Sequence, residues 1–216
     1  MVEAFRRGPF WNFSYLLACQ ETREAIVIDP AWDVDTIVRA ATARGFEIRF
    51  ILLTHGHSDH VNGVIELLER TRARAFIHSA EASHLSGTEP GRLVTFSGDE
   101  RMQLGEHWIH LEPSPGHSPG STAIWTMGHL FSGDTLHVGG PGRPGNYPGA
   151  VTELWESVRA LLEDRPETVL HPGHDEGPAP TSTLGVERER STALRAETPE
   201  AFAEELRRTT GRAYEV

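Results

Sequence analysis

The stretch Thr54-His55-Gly56-His57-Ser58-Asp59-His60 decides the reading of this chain. It follows an apolar run, Phe50 to Leu53, and precedes the pattern Val61, Val64, Ile65, Leu68. A continuous apolar run of that length suits a buried strand. Apolar residues three and four apart mark one face of a helix. The motif therefore sits at a strand-to-helix turn and offers three imidazoles and a carboxylate within six residues. Side chains two apart share a face in extended backbone, so His55 and His57 can point the same way. Asp59 and His60 lie at the helix start, within reach of a second point. Asp59 or Ser58 can equally serve as an N-cap. A cap alone leaves the three histidines unexplained.

Three later segments share this grammar. Pro115-Gly116-His117-Ser118-Pro119-Gly120 holds a histidine in a turn rich in glycine and proline. Ser132-Gly133-Asp134-Thr135 puts an aspartate just past a strand end, and Pro172-Gly173-His174-Asp175 does the same for a histidine. Glycine permits the sharp turns that aim a side chain inward. A single Gly-His or Gly-Asp is ordinary turn chemistry. Four such segments in one chain point instead to donors gathered from several strand ends.

Composition narrows the chemistry further. The chain has 216 residues, a formal net charge of -11 and 12 histidines. One large domain is expected over residues 1–216, with 185–216 as a short helical tail. No basic surplus exists to neutralise phosphates, so nucleic acid is not an expected partner. No apolar run nears the ~18 residues of a membrane span. Met1 to Cys19 reads as a first strand rather than a leader, which makes the expected location cytoplasmic. Cys19 is the only cysteine, which excludes an internal disulfide and thiolate-rich zinc sites. Every basic residue is arginine, so Schiff-base lysines and Walker-type phosphate loops are excluded.

Strand and helix signals alternate in the first half. Ser14 to Cys19 and Glu24 to Asp29 read as strands, and Val34, Ile37, Val38 and Ala41 as a helix face. The middle is strand-rich and punctuated by glycine. Val151 to Leu162 reads as an amphipathic helix, Thr168 to Leu170 as a strand, and Val186 to Arg208 as a polar helical tail. Such an order suits sheets covered by helices on their outer faces.

His-x-His-x-Asp-His, then an isolated Gly-His, a Gly-Asp and a late Gly-His, resembles the metallo-β-lactamase superfamily. Within it, Pro115 to Gly120 and Ser132 to Leu136 resemble the glyoxalase II (hydroxyacylglutathione hydrolase) group. The resemblance implies an α+β fold, a four-layer αββα sandwich with metals at one edge between the sheets. It implies one divalent ion held by His55, His57 and His117, a second held by Asp59, His60 and His174, and Asp134 bridging them. Asp59, His60 and Asp134 are then the expected catalytic residues.

Imidazole and carboxylate without thiolate suit zinc first, with iron or manganese also compatible. Such ions supply hydroxide near neutral pH, and the expected reaction is hydrolysis of a thioester or related acyl ester of small-molecule size. A departing thiolate, with a conjugate-acid pKa near ~8.5 if cysteine-like, barely needs a general acid. Two alternatives share the framework. Persulfide dioxygenases resemble it but use one iron, held by residues matching His55, His117 and Asp134. Lactonases, β-lactamases and phosphodiesterases are the other. Glyoxalase II proper also carries a C-terminal helical domain that binds glutathione through basic residues, and residues 175–216 hold no lysine.

Arg143, in the glycine- and proline-rich loop 138–149, is a candidate for a substrate carboxylate, with Tyr147 packing beside it. Asp29, Thr54, Thr135 and His171 are candidates for orienting the ligands. His137 is a candidate for the pocket border. His78, His84, His107, His110 and His129 are expected to stand apart from the site.

Overall fold

Strands buried on both faces dominate the centre of the molecule. In the computed structural model, which describes residues 1–163 and 165–216, two six-stranded sheets face each other. The first comprises β1 (Val2–Arg7), β2 (Asn12–Ala18), β3 (Glu24–Ile28), β4 (Glu47–Leu52), β5 (Arg74–His78) and β6 (Leu93–Phe96), in that spatial order. Strands β1 to β3 pair antiparallel, and β3 to β6 pair parallel. The second contains β7 (Glu100–Leu104), β8 (His107–Pro113), β9 (Thr122–Thr126), β10 (His129–Gly133), β13 (Val169–Pro172) and β14 (Ser182–Thr183). Its order is β14-β13-β10-β9-β8-β7. Between β10 and β13 run the short pair β11 (Leu136–His137) and β12 (Gly140–Pro141) and helix α4 (Ala150–Leu161).

The period of two along each strand sorts side chains between layers. Phe13, Tyr15 and Leu17 of β2 and Ile26 and Ile28 of β3 meet Ile124 and Phe131 of the second sheet in a central core. Leu16, Ala18, Ala25 and Val27 face outward onto α1 (Val34–Ala43) and α3 (Val64–Arg70). Ala123, Trp125 and Leu130 face the other way, onto α4 and α6 (Pro199–Thr210). The layers are thus helix, sheet, sheet, helix, as the resemblance implied.

Three elements differ from the sequence reading. The stretch Met1 to Cys19 is a hairpin, β1 and β2, rather than one strand, and it turns through Gly8 and Trp11 at positive φ. β1 is an edge strand with only Phe5 buried, so it lacks an apolar signature. The helix expected over Val61 to Leu68 is two, α2 (Ser58–Val61) and α3, interrupted at Asn62-Gly63. The cap position of α2 is His57, and no side chain caps it, so neither Ser58 nor Asp59 is spent as an N-cap. The tail forms α5 (Leu184–Arg190), a short 3-10 turn and α6 rather than one polar helix. Pro199 at the start of α6 and the Thr198 cap separate them. Phe202 and Leu206 of α6 are buried against α4, so this tail closes the second outer core. No helix among the described residues is long and apolar enough to cross a membrane.

Candidate metal centre

All seven predicted ligands gather at one edge, where the ends of several strands open between the sheets. His55 and His57 follow β4, Asp59 and His60 sit on α2, and His117 lies in the turn between β8 and β9. Asp134 follows β10 and His174 follows β13. Three nitrogens meet in one group: His57 Nδ1 lies 3.1 Å from His55 Nε2 and 2.9 Å from His117 Nε2. A second group joins His60 Nε2 to His174 Nε2 at 3.1 Å, with Asp59 Oδ2 3.5 Å from His174 Nε2. Asp134 stands between them. Its Oδ2 is 3.5 Å from His117 Nε2 and 3.2 Å from His174 Nε2, and its Oδ1 is 3.5 Å from His60 Nε2.

The outward nitrogen of four of these rings faces an oxygen acceptor, and that partner sets the tautomer. His60 Nδ1 donates to Asp29 Oδ2 at 3.0 Å, His117 Nδ1 to the Arg143 carbonyl at 2.9 Å, and His174 Nδ1 to the Phe10 carbonyl at 2.8 Å. Thr54 donates its hydroxyl to Asp29 Oδ2, so its oxygen accepts from His55 Nδ1 at 3.1 Å. Each Nε2 lone pair is thereby turned inward. Lone pairs at 3 Å repel unless a cation or proton lies between them. Asp134 Oδ1 is buried and has no hydrogen-bond partner among the described residues. A set of inward acceptors with an unmatched carboxylate oxygen is what a divalent cation satisfies.

Charge balance agrees. Burial, then the neighbouring imidazoles, holds His55 well below the usual histidine range. Burial is the largest influence on His60 and His174 and opposes their charge. Asp134 and Asp29 together outweigh it at His60, and Asp134, the Phe10 carbonyl and Asp59 together outweigh it at His174, which rises to about 9. Asp134 is held well below the carboxylate range despite its burial, chiefly by His60. Without a cation the cluster attracts protons in its place, and binding would expel them.

Supporting residues complete the picture. Asp29 accepts from the Thr54 amide, the Thr54 hydroxyl and His60, so its oxygens are occupied by donors and it orients rather than ligates. Thr135 bonds Ser114 instead of a ligand. His171 points away: it bonds His129 and stacks on Phe131 in the central core. Two groups escaped the sequence reading. Asn12 donates to Asp59 Oδ2 at 2.9 Å and is itself held by Trp32 Nε1. Glu81, only 2% exposed, accepts from the Gly56 amide at 3.1 Å and the Gly120 amide at 2.8 Å. It clamps the turn carrying His55 and His57 to the turn carrying His117. Both lie far in sequence from what they serve, and nothing local marks them. Gly173 must be glycine for a related reason: a Cβ there would stand 2.2 Å from Asp134 Oδ1.

A cavity of about 280 Å³ opens onto Asp59, His117, Asp134 and His174. Phe10, His137, Arg143 and Glu176 form the rest of its wall. Arg143 thus stands where a substrate anion can reach it, and His137 borders the pocket. Tyr147 does not line this cavity; its hydroxyl donates to Glu153 at 2.7 Å. A neighbouring groove of about 430 Å³ shares His137, Arg143 and Glu176 and runs past Gly139–Gly142 to Thr210 and Tyr214 on the C-terminal side. Buried Glu187 fixes that groove by accepting from the Gly139 amide. A larger groove of about 540 Å³ holds Arg159, Arg188 and Arg195 but none of the predicted ligands.

The fold and this cluster define a class. The family model for the metallo-beta-lactamase superfamily matches residues 7–174, and the chain belongs to that superfamily. The hydroxyacylglutathione hydrolase of Anaeromyxobacter dehalogenans is 34% identical over 177 residues, 81% of this chain. The match spans 66% of that relative's length, so the relative extends well beyond the shared part. A metallo-beta-lactamase from Staphylococcus aureus superimposes with a TM-score of 0.87 at 24% identity, covering 100% of this chain and 68% of that one. TTHA1623, solved in a di-iron-bound form, is 31% identical with a TM-score of 0.69, covering 87% of this chain and 98% of its own.

Proposed function

We propose that this protein is a metal-dependent hydrolase with two divalent cations, zinc first, acting on a thioester or related acyl ester. The observation that carries the reading is the pair of three-atom donor sets flanking Asp134, which supports two ions rather than one. Cations bound there would lower the pKa of a water toward ~7 and polarise a carbonyl.

The chain's own residues do the rest. His55, His57 and His117 form one donor set, Asp59, His60 and His174 the other, and Asp134 spans both. Asn12 fixes Asp59 through its 2.9 Å bond, and Asp29 fixes His60. Arg143 offers a guanidinium for a carboxylate or other anion on the substrate. The groove beyond it gives an extended thiol arm a path along Gly139–Gly142. The similarity to hydroxyacylglutathione hydrolase supports a thioester over other esters.

Purified protein should carry two zinc-like ions per chain and cleave acyl thioesters faster than the matching oxygen esters. One iron per chain, with oxygen uptake on glutathione persulfide, would overturn the hydrolase reading in favour of the dioxygenase.

A further inference from the structure

The described residues place one other cluster of ligand-type atoms away from this centre: Cys19 Sγ, a Glu21 carboxylate oxygen and a His107 ring nitrogen, all within 4.8 Å of one another. They come from two sheets. Cys19 and Glu21 lie just after β2 in the turn to β3, and His107 opens β8. β2 begins at Asn12, beside Asp59, and at ~3.3 Å per residue its other end lies roughly 20 Å away. The cluster therefore occupies the opposite edge of the sandwich.

Three features make it more than a solitary thiol. Cys19 is buried, yet its sulfur faces a carboxylate, with Sγ donating to Glu21 Oε2 at 3.2 Å. The β7–β8 turn is drawn tight onto that sulfur. Gly105 has a φ of +58°, and a Cβ there would stand 2.5 Å from Sγ. That approach delivers His107, which opens β8 half-buried with a ring nitrogen within 4.8 Å of the Cys19 sulfur and a Glu21 oxygen. Glu21 is exposed and His107 half-buried, which leaves a path for an ion and a water.

We propose that Cys19, Glu21 and His107 form a separate site for a thiophilic divalent cation of the zinc class, pinning the first sheet to the second. One sulfur, one imidazole nitrogen and one carboxylate oxygen fill three corners of a tetrahedron, and water takes the fourth. On binding, the thiol proton passes to solvent and a sulfur–metal bond replaces the Cys19–Glu21 hydrogen bond. Soft sulfur selects zinc, cobalt or cadmium over magnesium and calcium. An ion bound only by the folded chain stabilises it by mass action.

Cobalt(II) titration of the whole protein tests this apart from any hydrolase activity. Cys19 is the only cysteine, so a sulfur-to-cobalt charge-transfer band reports this site alone. The band should saturate at one cobalt per chain for this site. It should vanish in Cys19→Ser, which keeps the visible absorption of cobalt at the histidine-aspartate centre. It should need at least tenfold more cobalt in His107→Gln and Glu21→Gln. No band at saturating cobalt overturns the proposal. So does a band unchanged in both His107→Gln and Glu21→Gln, or one saturating at one cobalt per two chains, which marks a sulfur bridge between copies.

Discussion

Glutamine in place of Glu81 isolates the clamp between the two ligand turns. The carboxylate uses one oxygen for Gly56 and the other for Gly120. Glutamine has the same shape but one acceptor, so its amino group must face one of the two amides. A hydrogen bond to a charged group contributes about 1.5–3 kcal/mol, and a stranded buried donor costs about 1–3 kcal/mol. Removing a buried charge returns part of that. A net loss of roughly 2–3 kcal/mol is expected, or a fall in Tm of roughly 4–12 °C for a chain of this size. The loss falls unevenly. Gly56 separates His55 from His57, and Gly120 closes the turn of His117, so the first donor set loosens. Its zinc affinity should drop on the order of 10–100-fold, as for other groups that orient ligands. The set of Asp59, His60 and His174 has no bond to Glu81 and should hold its ion unchanged. Competition with a chromophoric chelator resolves the two steps, and scanning calorimetry gives Tm. If both steps and Tm match the parent protein, Glu81 does not hold the two ligand turns together.

Two further outcomes follow from the same geometry. Asp29→Asn should weaken the other step on the order of 10–100-fold, because an amide group would face the Thr54 or His60 donors that Asp29 accepts; an unchanged chelator titration would remove Asp29 from the support of His60. The second outcome concerns acid. Burial, then His129, lowers His171 to about 4, whereas the unfolded chain titrates near ~6.5. The unfolded state binds the extra proton between those values. Stability should therefore be full above pH ~6.5 and fall as pH drops toward about 4, by at most about 3 kcal/mol. Urea unfolding from pH 7.5 to 4.5 should show His171→Phe losing less stability than the parent, and parallel curves would refute the assignment.

Five histidines and two aspartates were legible in the linear chain because turn chemistry marks them. Each follows a strand end and most stand beside a glycine, and the backbone there has few ways to aim a side chain. Sheets and helices were legible for a similar local reason: periods of two and of three to four are written into neighbouring residues. The edge strand β1 was not, since a strand that buries only Phe5 has no apolar pattern to display. Neither was the break at Asn62-Gly63, where the Gly63 amide meets the Pro30 carbonyl from another segment.

The amino-acid order alone thus determined which donor atoms exist, their spacing and the class of chemistry they suit. Folding decided everything that depends on distance between remote segments. It turned the Nε2 of four of the five histidines inward through acceptors such as the Phe10 carbonyl, 164 positions from His174. It spent Asp29 on orientation, recruited Asn12 and Glu81, sent His171 to the core and Tyr147 to Glu153, and left Arg143 on the cavity wall. The physical reason is range: backbone preference acts over a few residues, while a hydrogen bond acts over 3 Å of space however much chain lies between its ends.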